Sequence, residues 1–287
     1  MILDSLAVYG WQGLILAVWV FLCVGSFLNV VIFRLPVMLE REWQQQAKEI
    51  LHIESHEESH AAFNLSVPRS RCPACGHQIR FFENIPIISW LILRGQCSQC
   101  ATKISWRYPV VELLTCLLSL AVLAQFGVSW FTLSALCATW ILIAATGIDF
   151  DTHLLPDQLT YPLLWLGLLT HSLFNTFLHP IDAIIGAVAG YLFLWLTFWA
   201  FKLLTGKEGM GYGDFKLFAA LGAWLGWQAL PGVLLIAAIS GLIYALGRLL
   251  ARLQERGDPI PFGPFLATAG WVTLLFRDNV LSLFQAA

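Results

Sequence analysis

Repeated apolar stretches long enough to cross a bilayer constrain this chain more than any other feature. A spanning helix needs about 20 mostly apolar residues. Hydrocarbon offers no partner to a free backbone N–H or C=O, so many such stretches in one chain imply a helical bundle. They run from about Trp11 to Phe33, Tyr108 to Gln125, Trp130 to Ile148, Leu159 to Leu178, Ile181 to Leu204 and Phe262 to Leu281. Phe215 to Arg248 has room for two short helices, broken near Gly226-Trp227-Gln228 and Pro231-Gly232. The expected fold is an all-α polytopic membrane protein with about eight transmembrane helices. Composition agrees: 12% of residues are charged, where a soluble domain carries about a quarter. Thirteen Trp and twenty Phe fit aromatic belts at the two interfaces. Met1-Ile2-Leu3-Asp4 lacks a basic n-region, and the first apolar run exceeds an h-region, so no cleavable signal is expected.

The basic residues orient this bundle. Nine of the sixteen Lys and Arg lie between Arg34 and Arg107. Lys202, Lys207 and Lys216 flank a later loop, Arg248, Arg252 and Arg256 follow the seventh helix, and Arg277 alone falls on the other side. By the positive-inside rule the large loop is cytoplasmic and both termini are not. The chain then divides into residues 1–33, a first membrane helix; 34–107, a cytoplasmic loop domain; and 108–287, a core of about seven helices. Leu39 to Ala62 is charged and reads as an amphipathic or solvated helix.

Seven cysteines fall into two groups. Cys23, Cys116 and Cys137 lie singly in apolar runs and read as small buried hydrophobes. Cys72-Pro73-Ala74-Cys75 and Cys97-Ser98-Gln99-Cys100 form two C-x-x-C knuckles in the polar loop. Each tight turn aims two thiolates at one point, and two turns complete a four-sulfur tetrahedron. A cytoplasmic loop favours metal over disulfides. Four protein ligands leave no open position, so Cys72, Cys75, Cys97 and Cys100 are expected to hold one structural zinc. His56-Glu57-Glu58-Ser59-His60 matches H-E-x-x-H, with Glu83 available as a third ligand. His52, His56 and His60 lie in a strip rich in glutamate, with little apolar support to lock their rotamers, so a solvated helix accounts for the match.

Carboxylates at membrane-helix ends are costly and read as functional. Asp149-Phe150-Asp151 ends the third helix, with Asp157 just beyond. Gly211-Tyr212-Gly213-Asp214 opens the sixth. Charge topology puts both groups at the cytoplasmic face. Two carboxyls there can share a proton and activate water. The bland alternative makes Asp157 and Asp214 helix caps, but it leaves Gly209, Gly211 and Gly213 unexplained. Such glycines allow a neighbouring helix or an extended peptide to approach closely. Lys216 reads as a snorkelling anchor, or as a group that orients this loop. Glu112 and Asn29 are intramembrane polar groups, structural or cavity-lining. No strand precedes Gly209-x-Gly211-x-Gly213, so it is not a dinucleotide site, and no nucleic-acid partner is expected. A zinc metalloprotease using His56, Glu57 and His60, or a transporter relaying protons through its aspartates, stays open on the residues alone.

In combination the motifs are specific. Gly25-Ser26-Phe27-Leu28-Asn29, the paired knuckles, Tyr108-Pro109-Val110-Val111-Glu112, Asp149-x-Asp151 with Pro156-Asp157, Gly209-Met210-Gly211-Tyr212-Gly213-Asp214-Phe215-Lys216 and Pro261-Phe262-Gly263-Pro264 run in order along nearly the whole chain. Together they resemble the type IV prepilin peptidases, bacterial leader peptidase/N-methyltransferases of the GxGD aspartic class. The resemblance implies a bacterial inner-membrane enzyme whose catalytic pair is Asp149 and Asp214. It implies cleavage of type IV prepilins and type II secretion pseudopilins after Gly, usually before Phe, on the cytoplasmic side. It also implies methylation of the new N-terminus with S-adenosyl-L-methionine. The motif assigns catalysis to Asp149 rather than Asp151.

Overall fold

The computed structural model describes residues 10–52, 63–174, 176–251 and 260–285. Among these there is no strand, only two isolated bridges inside the cysteine loop. The helices are α1 (Gly10–Ile50), α2 (Ile88–Ile92), α3 (Arg107–Phe126), α4 (Trp130–Thr152), α5 (Asp157–Leu173), α6 (Pro180–Thr205), α7 (Tyr212–Leu225), α8 (Leu230–Leu250), α9 (Gly263–Leu275) and α10 (Arg277–Gln285). Among the described residues five helices are long and apolar enough to cross a membrane, α1, α3, α4, α6 and the Trp227–Leu250 stretch, against the eight or so expected, and α9 is a shorter apolar helix. The expected all-helical multi-pass architecture is therefore present. The chain separates into two compact units, Met1–Ala124 and Gln125–Ala287.

In the first unit α1 is longer than its apolar stretch. The expected break after Phe33 does not occur, although Pro36 lies inside the helix. An interior proline removes one ladder bond, and two features offset this. Leu35 and Leu39 are buried on either side of it. Beyond them, good helix formers support one another through the Gln44–Glu40, Gln46–Glu42 and Gln45–Glu49 side-chain bonds. Gly25 lets α1 close on α3, since a Cβ there would stand 2.7 Å from the Glu112 backbone. Asn29 Nδ2 donates to the Tyr108 carbonyl at 3.1 Å, so this intramembrane amide is a structural tie. Arg34 is buried and donates to the carbonyls of Asn64 (2.9 Å) and Pro68 (2.6 Å), fastening the loop to α1. Cys116 is buried as expected; Cys23 is exposed, on a face of α1 that nothing in its unit covers.

In the second unit α7 is the central element, buried along nearly its whole length from Asp214 to Leu225. Its neighbours approach through small residues. Gly186 and Gly190 of α6, spaced as G-x-x-x-G, lie against the backbone of Gly222 and Phe218 of α7. Without water to drive association, such close backbone contact is what packs membrane helices. Gly167 of α5 receives the Trp224 ring, and Gly270 of α9 receives Leu221. Polar ties seal the bundle: Trp224 Nε1 donates to the Leu163 carbonyl at 2.9 Å, and Trp271 Nε1 to Thr139 Oγ1 at 3.2 Å.

Candidate functional site

Two buried aspartates and one cysteine cluster are the chemistry-bearing groups, and each follows from local structure. Asp149 lies one turn before the end of α4. His153 closes that helix in a left-handed conformation (φ 55°), its N–H bonded to the Asp149 carbonyl. The helix therefore stops, and the chain turns through Leu154-Leu155-Pro156 into α5. Asp214 lies in the first turn of α7, three residues after the N-cap Gly211. Both carboxyls are buried, at 4% and 7% residue exposure, whereas Asp151 is exposed. The acid that faces inward is Asp149.

A shared neighbour brings the two aspartates together. A Cβ on Gly213, the residue before Asp214, would meet Leu155 at 2.6 Å. A Cβ on Gly263 would meet Leu155 at 2.9 Å and Asp149 Oδ2 at 2.6 Å. Leu155 thus sits between the glycine beside Asp214 and the glycine against Asp149, and the Asp149 charge is felt at Asp214. The Gly263 N–H is directed at the Asp149 carboxyl, while Asp149 Oδ2 has no hydrogen-bond partner among the described residues. A buried acceptor left open costs about 1–3 kcal/mol, a reserve typical of groups that bind something transient. Around Gly211 the space is open except for Asp214 itself.

The capping alternative is corrected by the same geometry. Pro156 and Gly211 are the N-caps of α5 and α7, and neither aspartate caps its helix. Asp157, the first residue of α5, pairs with Lys216 Nζ at 2.6 Å, and that ammonium also lies over the Tyr161 ring. Lys216 therefore ties α7 to α5 next to Asp214, where the sequence reading favoured a free snorkelling anchor. Gly213 and Gly209 make the close approaches expected of them, Gly209 against the Phe201 ring. Leu155 and Gly263 have no signal of their own: an apolar side chain and a glycine mark chemistry only through what they touch.

The cysteines converge as the spacing predicts. All four sulfurs lie within 4.8 Å of one another. Cys72–Cys100 and Cys75–Cys97 are 3.7 and 4.0 Å apart. A zinc tetrahedron with sulfur at about 2.3 Å sets its sulfurs about 3.8 Å apart, so the cluster can hold a zinc ion if its widest pairs close by about 1 Å. The two knuckles repeat one pattern. Cys72 N–H bonds the His77 carbonyl and Gly76 N–H the Cys72 carbonyl; Cys97 N–H bonds Thr102 and Ala101 N–H bonds Cys97. The residue after the second cysteine is left-handed in both, Gly76 at φ 72° and Ala101 at φ 55°.

Backbone and hydroxyl donors favour the thiolate at two of these cysteines. Cys72 is lowered, chiefly by the N–H groups of Cys75 and Ala74. Cys100 falls to about 6, chiefly through the Thr102 hydroxyl and N–H. Cys75 rises to about 12: the His77 N–H pulls it down, but burial and the neighbouring sulfurs outweigh that pull. Glu83 is held at about 2, chiefly by the Arg80 N–H and then by Ser98 and His77. It bonds His77 of one knuckle (3.1 Å) and Ser98 of the other (2.6 Å), so it clamps the cluster and is already engaged. His56, Glu57 and His60 lie outside the described residues, and Glu83 is committed away from serving as their third ligand. Glu112 accepts from the Ile87 N–H at 2.7 Å, a structural bond.

Comparison with known proteins agrees with this arrangement. Residues 20–126 match the bacterial peptidase A24 N-terminal domain, and residues 136–246 match the type IV leader peptidase family. A prepilin leader peptidase/N-methyltransferase of Aeromonas hydrophila is 58% identical over 259 residues, 90% of this chain and 89% of the relative. That of Pseudomonas aeruginosa is 52% identical over 279 residues, 97% of this chain and 96% of the relative. That of Dichelobacter nodosus is 54% identical over 266 residues, 92% and 91% of the two chains. No solved structure matches the chain significantly. Aspartates, glycines and cysteine knuckles in one ordered series, with relatives matched over nearly their full length, place this chain in the type IV leader peptidase family.

Proposed function

We propose that this protein removes the basic leader from type IV prepilins and then N-methylates the new N-terminal residue, with Asp149 and Asp214 as the catalytic pair. One observation carries the reading: two buried carboxyls on different helices, each beside a glycine that packs on Leu155, with Asp149 Oδ2 open. Close carboxyls share one proton, and the apparent titration belongs to the pair. The ionised member takes a proton from water, and the resulting hydroxide adds to the scissile carbonyl. The protonated member hydrogen-bonds that carbonyl oxygen and stabilises the negative charge that develops there. The carboxyl that took the water proton gives it to the leaving nitrogen as the adduct collapses and the C–N bond breaks, leaving a carboxylic acid on the leader, which ionises in water, and an amine on the mature pilin. Open space at Gly211, beside Asp214, is where an extended segment on either side of the scissile bond would lie.

The positive-inside distribution supports an inner-membrane location with the pair at the cytoplasmic face. Type II pseudopilins, which share the cleavage chemistry, belong to the proposed substrates. A zinc ion held by Cys72, Cys75, Cys97 and Cys100 would fix the fold of the loop and, with four protein ligands, leave no open position for substrate. S-adenosyl-L-methionine supplies an electrophilic methyl group for the second reaction, and the aqueous loop 34–107 is the proposed approach for that soluble donor. Mass spectrometry of a co-expressed prepilin tests the whole proposal: the mature chain should begin immediately after the cleaved Gly and weigh one methyl group more than the free amine. An uncut prepilin would overturn the protease assignment; a cut, unmethylated one would overturn the second activity alone.

A further inference from the structure

We propose that Phe81–Ile92 is a membrane-interface anchor, its outward face embedded in the lipid leaflet from which α3 enters the bilayer. The face consists of Phe81 and Phe82 on a 3-10 turn followed by Ile88, Leu91 and Ile92 of α2. All five are exposed, Phe81 at 89% and Ile92 at 74%. Ile88, Leu91 and Ile92 stand at i, i+3 and i+4, so they form one stripe. The opposite face is fixed. Ser89 is buried, donates to the Phe82 carbonyl at 2.7 Å and accepts the Ile85 N–H at 2.9 Å. The Trp90 ring lies over Gly95, and its N–H reaches the Ile104 carbonyl at 3.3 Å. The helix cannot roll its apolar stripe inward without breaking these bonds, and an apolar patch of this extent facing water is unfavourable.

The depth of the stripe decides what covers it. The Ile87 N–H, at the start of α2, is bonded to Glu112 Oε2 at 2.7 Å. Glu112 is five residues into α3, about 7.5 Å along the axis. The 20 residues of α3 span about 30 Å, the thickness of the hydrocarbon core, so the helix has no length to spare and Arg107 lies near the boundary. A helical side chain tilts back toward the N-terminus, which sets Ile87 between the levels of Arg107 and Glu112. That is the junction of headgroups and acyl chains. The α3 helix that Ile87 is bonded to exposes its own apolar side chains Val110, Leu113, Leu114 and Leu117, as a spanning helix does toward lipid. The charge of the segment that carries the stripe is complementary to lipid phosphate: residues 69–107 hold Arg69, Arg71, Arg80, Arg94, Lys103 and Arg107 against Glu83 as the one acid. Trp106, also exposed, completes an interfacial set of basic and aromatic residues.

Photo-crosslinking of the full-length protein in liposomes of phosphatidylethanolamine and phosphatidylglycerol tests the anchor. p-Benzoylphenylalanine is introduced singly in place of Phe81 or Ile92, with Leu117 as the lipid-facing reference and Gln44, exposed on the distal part of α1, as the aqueous one. Phe81 and Ile92 probes should give lipid adducts in yields comparable to Leu117, and Gln44 none above the dark control. A second variant, Leu91→Glu, should reduce the Ile92 lipid adduct several-fold while zinc content and the Leu117 adduct stay unchanged. Adducts to a second copy of the chain, adducts to a co-reconstituted prepilin, or yields no higher than at Gln44 would each overturn the anchor. An unchanged Ile92 adduct in a zinc-loaded Leu91→Glu protein would do the same. Should Leu91→Glu lose its zinc and misfold, the single-probe results decide the matter alone.

Discussion

Asp149 and Asp214 are buried by helices that run in opposite roles, α4 ending beside one and α7 beginning at the other. Asn keeps the shape of either side chain but cannot share the proton. Asp149→Asn and Asp214→Asn should each lower prepilin cleavage by roughly 10³-fold, the range for a lost acid or base, with membrane insertion unaltered. Gel-resolved processing of a co-expressed prepilin measures this; ordinary processing by either variant would remove that residue from the pair. Gly263 extends the test to a residue without functional groups. Its hypothetical Cβ stands 2.6 Å from Asp149 Oδ2 and 2.9 Å from Leu155 Cδ1. Gly263→Ala must therefore push the carboxyl or Leu155 aside, and a displacement near 1 Å costs roughly 10²-fold in rate. The expected result is a fall in kcat with zinc content unchanged; full activity would show that Asp149 tolerates the shift. The aspartates were legible in the sequence because a carboxylate at a membrane-helix end is conspicuous. Gly263 was not, since its part depends on a contact more than a hundred residues away in the chain.

At the scale of elements, the two knuckles show one turn used twice with different residues. Ala101 occupies the left-handed position that Gly76 fills in the first knuckle. An L-residue pays about 1–2 kcal/mol there, and glycine returns about 0.5–1 kcal/mol of that through the unfolded chain. Ala101→Gly should therefore stabilise the loop by roughly 0.5–1 kcal/mol, read as slower zinc loss to a chelator; faster loss would contradict the repeat. Replacing Cys72 and Cys75 together by Ser should abolish binding of the single zinc, because two thiolates hold the ion poorly. Cleavage should then fall through instability of the loop, seen as increased proteolysis of residues 63–106. Atomic absorption showing no zinc in the wild-type protein would refute this. The spacing of the cysteines announced the cluster, whereas the clamp by Glu83 needed the fold that brings His77 and Ser98 to it. The continuity of α1 through Pro36 was likewise hidden, because the buried Leu35 and Leu39 that sustain it cannot be identified from their types alone.

For the whole molecule, the cysteine cluster and the aspartate pair lie in separate compact units, Met1–Ala124 and Gln125–Ala287. Methyl transfer to an amine requires a deprotonated nucleophile in line with the donor, and we propose that neither aspartate takes part in it. Asp149→Asn protein should therefore still methylate a mature pilin peptide supplied with Phe at its N-terminus, at a rate close to wild type. Transfer of a labelled methyl group measures it; label from wild type and none from the variant would show that the two activities share a site. The sequence by itself did not determine the number of spanning helices, of which about eight were expected, but it did determine the class of fold, the convergence of the four cysteines and the candidate acids. Each of these is written in local pattern: helix-length apolar runs, C-x-x-C spacing, a charge where hydrocarbon should begin. Only the tertiary structure decided that Asp149 rather than Asp151 turns inward, that Lys216 pairs with Asp157, and that Leu155 is held between Gly213 and Gly263. Those outcomes depend on how glycine-lined helices close on one another, and the energy of that closure comes from contacts between residues that the order of the chain keeps far apart.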